Sequence, residues 1–414
     1  MKKIVGVAIC LVLLVTTSAL AGGGQEGAAA KPVTIMLRAS SKPGLEKIME
    51  DYIAKYPERQ VEITRVPIQN YFEQVSVVHA SGTASDMWEY WGVETGGYYV
   101  DKGFTADITQ WGKDHNWDTK FSSASLKQFN RQGVQYGMPL TMHAMFLFYQ
   151  KPMFQKYGMT VPKTYKELIS IVDKFKANGI SPFSVGAKDK WHLMRITDSL
   201  FEKYCGPKLR DELLVFKTTW IRPEVINIYD ELRRWGEQNY FNPGYLGVLQ
   251  REAKILMYQG KTGMILEGEW WEKNCTDDGQ DPSIYDFFIF PTDWPENRTS
   301  VFCEGWLFNG KSDNVPAALE FGEFYTSLEE QKKYVMDLAP PSAVLGVSVP
   351  AEYKIMNKVI GMFPTLNAFA VTDQGMPPGL WEEYAFVQEN ILTGNMTSQE
   401  GAEYMEEKGK EGMR

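Results

Sequence analysis

Glu267-Gly268-Glu269-Trp270-Trp271 sets two carboxylates one residue apart and follows them with two indoles. On a strand, residues i and i+2 share a face, so the two carboxylates would point the same way. An indole beside a carboxylate suits a ring with an apolar C–H face and a polar edge. The indole covers the face, and the carboxylate accepts from the hydroxyls. Two carboxylates about 5 to 9 Å apart could instead run acid–base hydrolysis. That chemistry needs them tuned differently, and nothing nearby marks either for a raised pKa. No G-x-S-x-G elbow or H-E-x-x-H pair is present, and the four His are scattered. Asp277-Asp278-Gly279-Gln280-Asp281 lacks the spacing and terminal Glu of a calcium loop and reads as a polar turn. The residue types favour holding a ligand over transforming it.

The elements that must position such residues alternate between strand and helix. Val33 to Leu37 is a short apolar strand. Pro43 then opens a helix carrying Leu45, Ile48, Met49, Tyr52 and Ile53 at helical spacing, and Val61 to Val66 is a second strand. A crossover of that length implies a parallel pair. Tyr71 to Ala80 reads as a helix closed by Gly82, and Ser122 to Gln132 as another. Ala144 to Tyr149 is a compact strand. Lys163 to Asn178 is a helix with Thr164 and Glu167 as a capping box. Helices over 193–204, 223–238 and 250–259 precede strands over 264–266, 287–291 and 306–308, and the stretch from Ala351 is mostly helical. Such alternation means layered α/β structure.

The N-terminus carries an address. Lys2 and Lys3 precede an apolar run from Ile4 to Val15, too short for the ~20 residues of a membrane span. Ala19-Leu20-Ala21 follows as an A-x-A cleavage site. Gly22, not Cys, stands next, so the expected mature chain begins there without lipid, in the periplasm. Residues 22–31 read as a flexible leader. Loss of Lys2 and Lys3 takes the formal charge from -9 to -11, which argues against nucleic acid as a partner. Cys205, Cys275 and Cys303 remain, too few to pair completely, so at least one free thiol is expected.

Six segments in order resemble the bacterial extracellular solute-binding proteins of sugar ABC importers, the group that includes maltose-binding protein. His79 to Met87 (HASGTASDM) is similar to its A-x-G-x-x-P-D segment, with Ser85 where Pro is usual. Tyr136-Gly137-Met138-Pro139, Phe148 to Phe154 (FYQKPMF) and Val161 to Leu168 (VPKTYKEL) follow, with Gln150 for the common Asn. Gln259 to Met264 (QGKTGM) with Glu267 to Trp270, then Glu304 to Phe308 (EGWLF), complete the set. The resemblance implies an α/β, two-lobed periplasmic-binding-protein fold, with a hinge and a ligand cleft between two α/β sandwich lobes. The expected division is a signal peptide over 1–21, a leader over 22–31, a first lobe over 32–141 and 291–345, and a second over 142–290 and 346–414.

It also implies a carbohydrate ligand, delivery to the importer's membrane permease subunits, a monomer, and no enzymatic activity or cofactor. A polyamine or peptide ligand, or a secreted carbohydrate-active enzyme, are the alternatives. Polar groups of a ligand are held in loops after strands. This rule and the resemblance select Ser40, Ser41, Asp86, Trp88 and Glu89 in the first lobe. His143 follows the crossing at Pro139-Leu140, and Glu304 and Trp306 lie in a second hinge-side segment, after a crossing at Phe287 to Pro291. Trp191, Glu267, Glu269, Trp270, Asp373 and Trp381 are the second-lobe candidates, with Trp271 expected to pack inward. Each also has a plain structural reading: a cap for Asp86, a satisfied imidazole for His143, rim charge for Glu267 and Glu269.

Overall fold

The computed structural model describes residues 31–39 and 41–412. The expected signal peptide, its cleavage site after Ala21 and nearly all of the leader lie outside them. β1 (Val33–Arg38) and β2 (Val61–Val66) pair in parallel across the helix α1 (Leu45–Lys55), which buries Leu45, Ile48 and Tyr52. The helix α2 (Ile68–Ser81) ends at Gly82 in the left-handed conformation, where glycine pays no Cβ penalty. It leads to β3 (Met87–Trp91), parallel to β1, and then to α3 (Val93–Asp101).

One strand then links everything. β4 (Gly137–Gln150) runs for 14 residues, all buried. Its first half pairs antiparallel with β8 (Thr299–Phe308), which also pairs with β3. Its second half pairs with β6 (Thr262–Gly268) and β7 (Tyr285–Phe288). With β5 (Ser181–Ser184) beside β6 and β9 (Ala368–Ala370) beside β8, the main path reads β2-β1-β3-β8-β4-β6-β5. The sequence hid this continuity. Pro139 and Gly137 look like a boundary, yet Pro139 sits in register with Gly305 beside a bulge, where a missing N–H is tolerated.

The apolar cores divide accordingly. One joins Val33, Ile35, Met138, Trp306, Phe308 and Phe321; another joins Leu147, Phe183, Leu200, Trp235, Leu266 and Val387. A third follows the sheet across both, from Met36 and Trp88 through Phe146 to Trp271. Arg298 bonds Glu202 at 2.7 and 2.8 Å, and Thr299 to Val301 pair with β9. Ala343, Val344, Val347 and Val349 belong to the first core.

Two elements also depart from the periodic reading. The helix expected to Gln132 stops at Gln128, and a hairpin pairs Asn130 with Gln135 and Arg131 with Val134. Gln132 and Gly133 both have positive φ, the geometry of a tight two-residue hairpin turn. The helix expected over 193–204 becomes α4 (Trp191–Leu214), kinked at Gly206-Pro207. A Cβ at Gly206 would meet the Trp294 ring at 2.8 Å. Cys205, Cys275 and Cys303 are all free and buried. No helix of the described residues is long and apolar enough to cross a membrane.

Trp271 opens the helix α5 (Trp270–Asp277) and is fully buried against Phe148, Tyr258 and Tyr285, with ring centroids 5.9, 5.4 and 5.2 Å away. Trp271→Ala should therefore lower the unfolding free energy by about 3 to 5 kcal/mol, measured by denaturant titration. A loss under 1 kcal/mol would contradict the packing described.

Candidate functional site

The carboxyl ends of β1, β3, β5, β6 and β9 face a common cleft between the lobes, where open α/β sheets place ligands. Its larger part is a cavity of about 950 Å³. Phe72, Tyr90, Trp91 and Tyr98 line the first-lobe side, and Trp191, Asp373, Trp381 and Glu382 the second. Trp91 closes β3 and stacks on Phe72 at 4.5 Å. Trp191 begins α4 just after the β5 loop. Trp381 enters through a turn at Gly379, whose φ of 87° requires glycine.

A smaller hollow of about 380 Å³ lies toward the crossing strands, lined by Arg38, Ser41, His143, Trp270, Phe302 and Glu304 among others. The guanidinium of Arg38 sits 5.7 Å over the Trp91 ring, so the wall of the hollow is also the floor of the larger cavity.

Four charges build that wall, three of them buried and Arg38 partly so. Arg38 bonds Glu89 at 2.9 Å and also bonds Glu304, while Lys42 bonds Glu304 and approaches Glu89 at 3.7 Å. Ser41 donates to Glu89, and Thr141 to Glu304 at 3.3 Å. Two cations face two carboxylates, so the cluster is neutral. Burial by itself would push the Glu304 carboxyl up, but Arg38 and Lys42 hold it well below the ordinary carboxylate range. Burial would likewise lower Arg38, and Glu304 with Glu89 more than reverse it.

Beside the hollow, buried carboxylates fix two rings. Glu269 is fully buried and bonds His143 Nδ1 at 2.6 Å and the Ala144 amide at 3.1 Å. His143 stacks on Phe302 at 4.7 Å and meets the edge of Trp270. Trp270 donates Nε1–H to Glu267 at 2.7 Å, and its ring covers Gly268, where a Cβ would stand 2.2 Å from it. Glu267 also accepts from Gln250.

Several expected ligand residues take other roles. Asp86 stands at the amino end of β3, away from the cleft, and binds Thr34, Ser312 and Asn314. Trp88 packs on His79 and Tyr99 in the core, and Trp306 on Tyr325. Both indoles are buried and cannot touch a cleft ligand. For Asp86 and Trp88 the reason is the strand's limits: it runs from Met87 to Trp91, so its carboxyl end is Trp91 and not the Asp86–Trp88 stretch. Glu89, Glu267 and Glu269 are buried and position other groups. Ser40 lies outside the described residues. Ser41, His143, Trp270 and Glu304 gather at the hollow; Trp191, Asp373 and Trp381 gather at the larger cavity. Trp91, Phe72, Tyr98 and Arg38 were missed, although the strand-end rule reaches Trp91 and Arg38 once the strand limits are known.

Residues 38–332 match the family described as bacterial extracellular solute-binding protein. The chain belongs to that family. Among relatives of this solute-binding protein is the "Multiple sugar-binding protein" of Streptococcus mutans, 27% identical over 323 residues, which covers 73% of this chain and 72% of the relative. A "Probable sugar-binding periplasmic protein" of Mesorhizobium japonicum is 29% identical over 195 residues, 45% of this chain and 44% of the relative. The chain spans less than half the length of the first curated relatives it matches. Its fold is similar to that of a solved "Chitin oligosaccharide binding protein", with a TM-score of 0.82, 21% identity, and 92% and 99% of the two chains covered.

The contrary expectation for Glu267 was an ordinary carboxyl. Burial instead pushes it up to about 7, against the pull of Gln250 and Trp270. His192, 3.9 Å away, moves the other way, to about 4, because burial disfavours its cation. Its Nδ1 accepts from the Gly186 amide, so Nε2–H donates to the Leu266 carbonyl and the ring is neutral.

The two act on stability with opposite signs. Between pH 4.5 and 7, folded Glu267 keeps a proton that the unfolded chain has lost, so its contribution falls as pH rises. Folded His192 lacks a proton that the unfolded chain holds between pH 4 and 6.5, so its contribution rises with pH. Glu267→Gln should leave the His192 slope unopposed. Denaturant titrations at pH 4.5 to 7 should show the variant gaining on the natural chain as pH rises; parallel curves would contradict this assignment.

Proposed function

We propose that this protein captures a carbohydrate between its lobes and delivers it to the membrane permease subunits of an ABC importer. The observation that carries the reading is the pair of aromatic walls: Phe72 and Trp91 face Trp191 and Trp381 across one cavity of about 950 Å³. Sugar rings offer flat C–H faces to indoles, and their hydroxyls suit Asp373, Glu382 and the polar rim. The sugar names of two relatives agree with this chemistry.

In this reading β4, β8 and the segment 350–367 form the hinge, and the lobes close on the ligand as bodies. The first lobe comprises residues 32–143 with 303–349, and the second 144–302 with 368–412. The protein is exported, is cleaved after Ala21, works as a monomer, and releases its ligand chemically unchanged. Ser41, His143, Trp270 and Glu304 serve the hinge-side hollow, while Trp91, Trp191, Asp373 and Trp381 serve the main cavity.

A thermal-shift screen against mono- to tetrasaccharides tests the reading, since ligand at 100 times its Kd adds about 2.7 kcal/mol. For a sugar found this way, Trp91→Ala and Trp381→Ala should each weaken binding by about 1 to 3 kcal/mol in calorimetric titration, using aromatic stacking on a planar ring as a guide. Neither should move the melting temperature of the free protein by more than a few degrees. Unchanged affinity in both variants would place the sugar elsewhere.

A further inference from the structure

We infer that the cleft selects its ligand by charge: it takes uncharged or amine-bearing oligosaccharides and excludes sugar acids. This rests on the carbohydrate reading above and narrows it. The main cavity is lined by four carboxylates, those of Glu73, Asp189, Asp373 and Glu382, and by no Lys or Arg. Two of the three cations nearest to it are already engaged, and the third, Lys190, is exposed. Arg38 lies over Trp91 but is held by Glu89 and Glu304. Arg195 lies 5.8 Å over Trp191 and bonds Asp373 at 2.8 and 2.9 Å and Asp198 at 3.3 Å. Lys190 stands 5.9 Å from the Trp381 ring centre, flanked in sequence by Asp189 and facing Glu382 electrostatically.

The hinge-side hollow offers no spare cation either. Its basic residues are Arg38 and Lys273, and Lys273 bonds Asp277 at 2.7 Å.

A uronate, phosphate or sulfate on the sugar would lose its water in this cavity and would face the excess negative charge of Glu73, Asp189 and Glu382, which Lys190 offsets only in part. A neutral sugar meets neither cost. A protonated amine finds carboxylates and the faces of Trp and Tyr, both attractive to a cation. Recruiting Arg38 or Arg195 to an anion would break a buried ion pair and strand a carboxylate.

The test uses the full mature chain and three matched classes of mono- to tetrasaccharide: neutral, 2-amino-2-deoxy and uronic acid. Binding is read by thermal shift and calorimetry at pH 7 in 20 and 200 mM NaCl. We expect binders only among the neutral and amino sugars. The uronate counterpart of any neutral binder should be at least tenfold weaker at low salt, and the gap should narrow at high salt. Glu73→Gln with Asp189→Asn should reduce that discrimination several-fold while the neutral sugar still binds. A uronate that binds as tightly as its neutral counterpart overturns the charge inference and leaves the carbohydrate reading standing. Discrimination that is unchanged in the double variant overturns the assignment to these carboxylates. Failure of every sugar in all three classes overturns the carbohydrate reading itself, and this inference with it.

Discussion

The neutral cluster of Arg38, Lys42, Glu89 and Glu304 is the constraint on which the cleft depends. It joins the carboxyl end of β1 to the middle of β3 and of β8, so one set of ion pairs ties three strands where the ligand wall begins. Buried charges are costly unless they are paired and their remaining lone pairs are satisfied. Here Ser41 and Thr141 supply the extra donors. The arrangement fixes the plane of Trp91 through the guanidinium above it. It also spends the cleft's basic groups on structure, and the charge character of the cavity follows from that.

The second lobe solves the same problem with hydrogen bonds in place of ion pairs. Glu267 lies near the end of β6 and Glu269 just past it in helical backbone, and both turn inward, to Trp270 and His143. Gly268 between them leaves room for the indole to lie over the backbone. The rings at the hinge are thus held by buried acceptors, and the rings of the main cavity by Arg38, Arg195 and Lys190 behind or beside them. Rigid rings on both lobes suit a binding site that works by closing: little side-chain freedom remains to be lost when a ligand is enclosed.

Much of the fold was legible. The β-α-β opening, the Gly82 stop and the Thr164–Glu167 capping box all stand in the structure because each is set by local chemistry. β4 was not legible. A strand buried on both faces shows no alternation, and its Gly137 and Pro139 mimic a boundary. At the site, sequence pointed to Trp191, Trp270, Asp373 and Trp381 through strand ends and resemblance. It failed at Trp88, Glu89 and Trp91, where three aromatic residues and a carboxylate crowd one five-residue strand. Which of them is exposed depends on where the strand ends, and a shift of a few residues exchanges core for cleft. Buried roles for Glu267 and Glu269 were equally hidden, since composition does not distinguish a carboxylate that touches a ligand from one that holds the ring that does.

The most direct test is a crystal structure of the mature protein grown with a sugar that binds it. The account predicts a sugar ring enclosed between the lobes, with its C–H face against Trp91 or Trp381, and Arg38 still paired with Glu89 and Glu304. A sugar bound outside this cavity, or one whose entry breaks the Arg38 pairs, would contradict it.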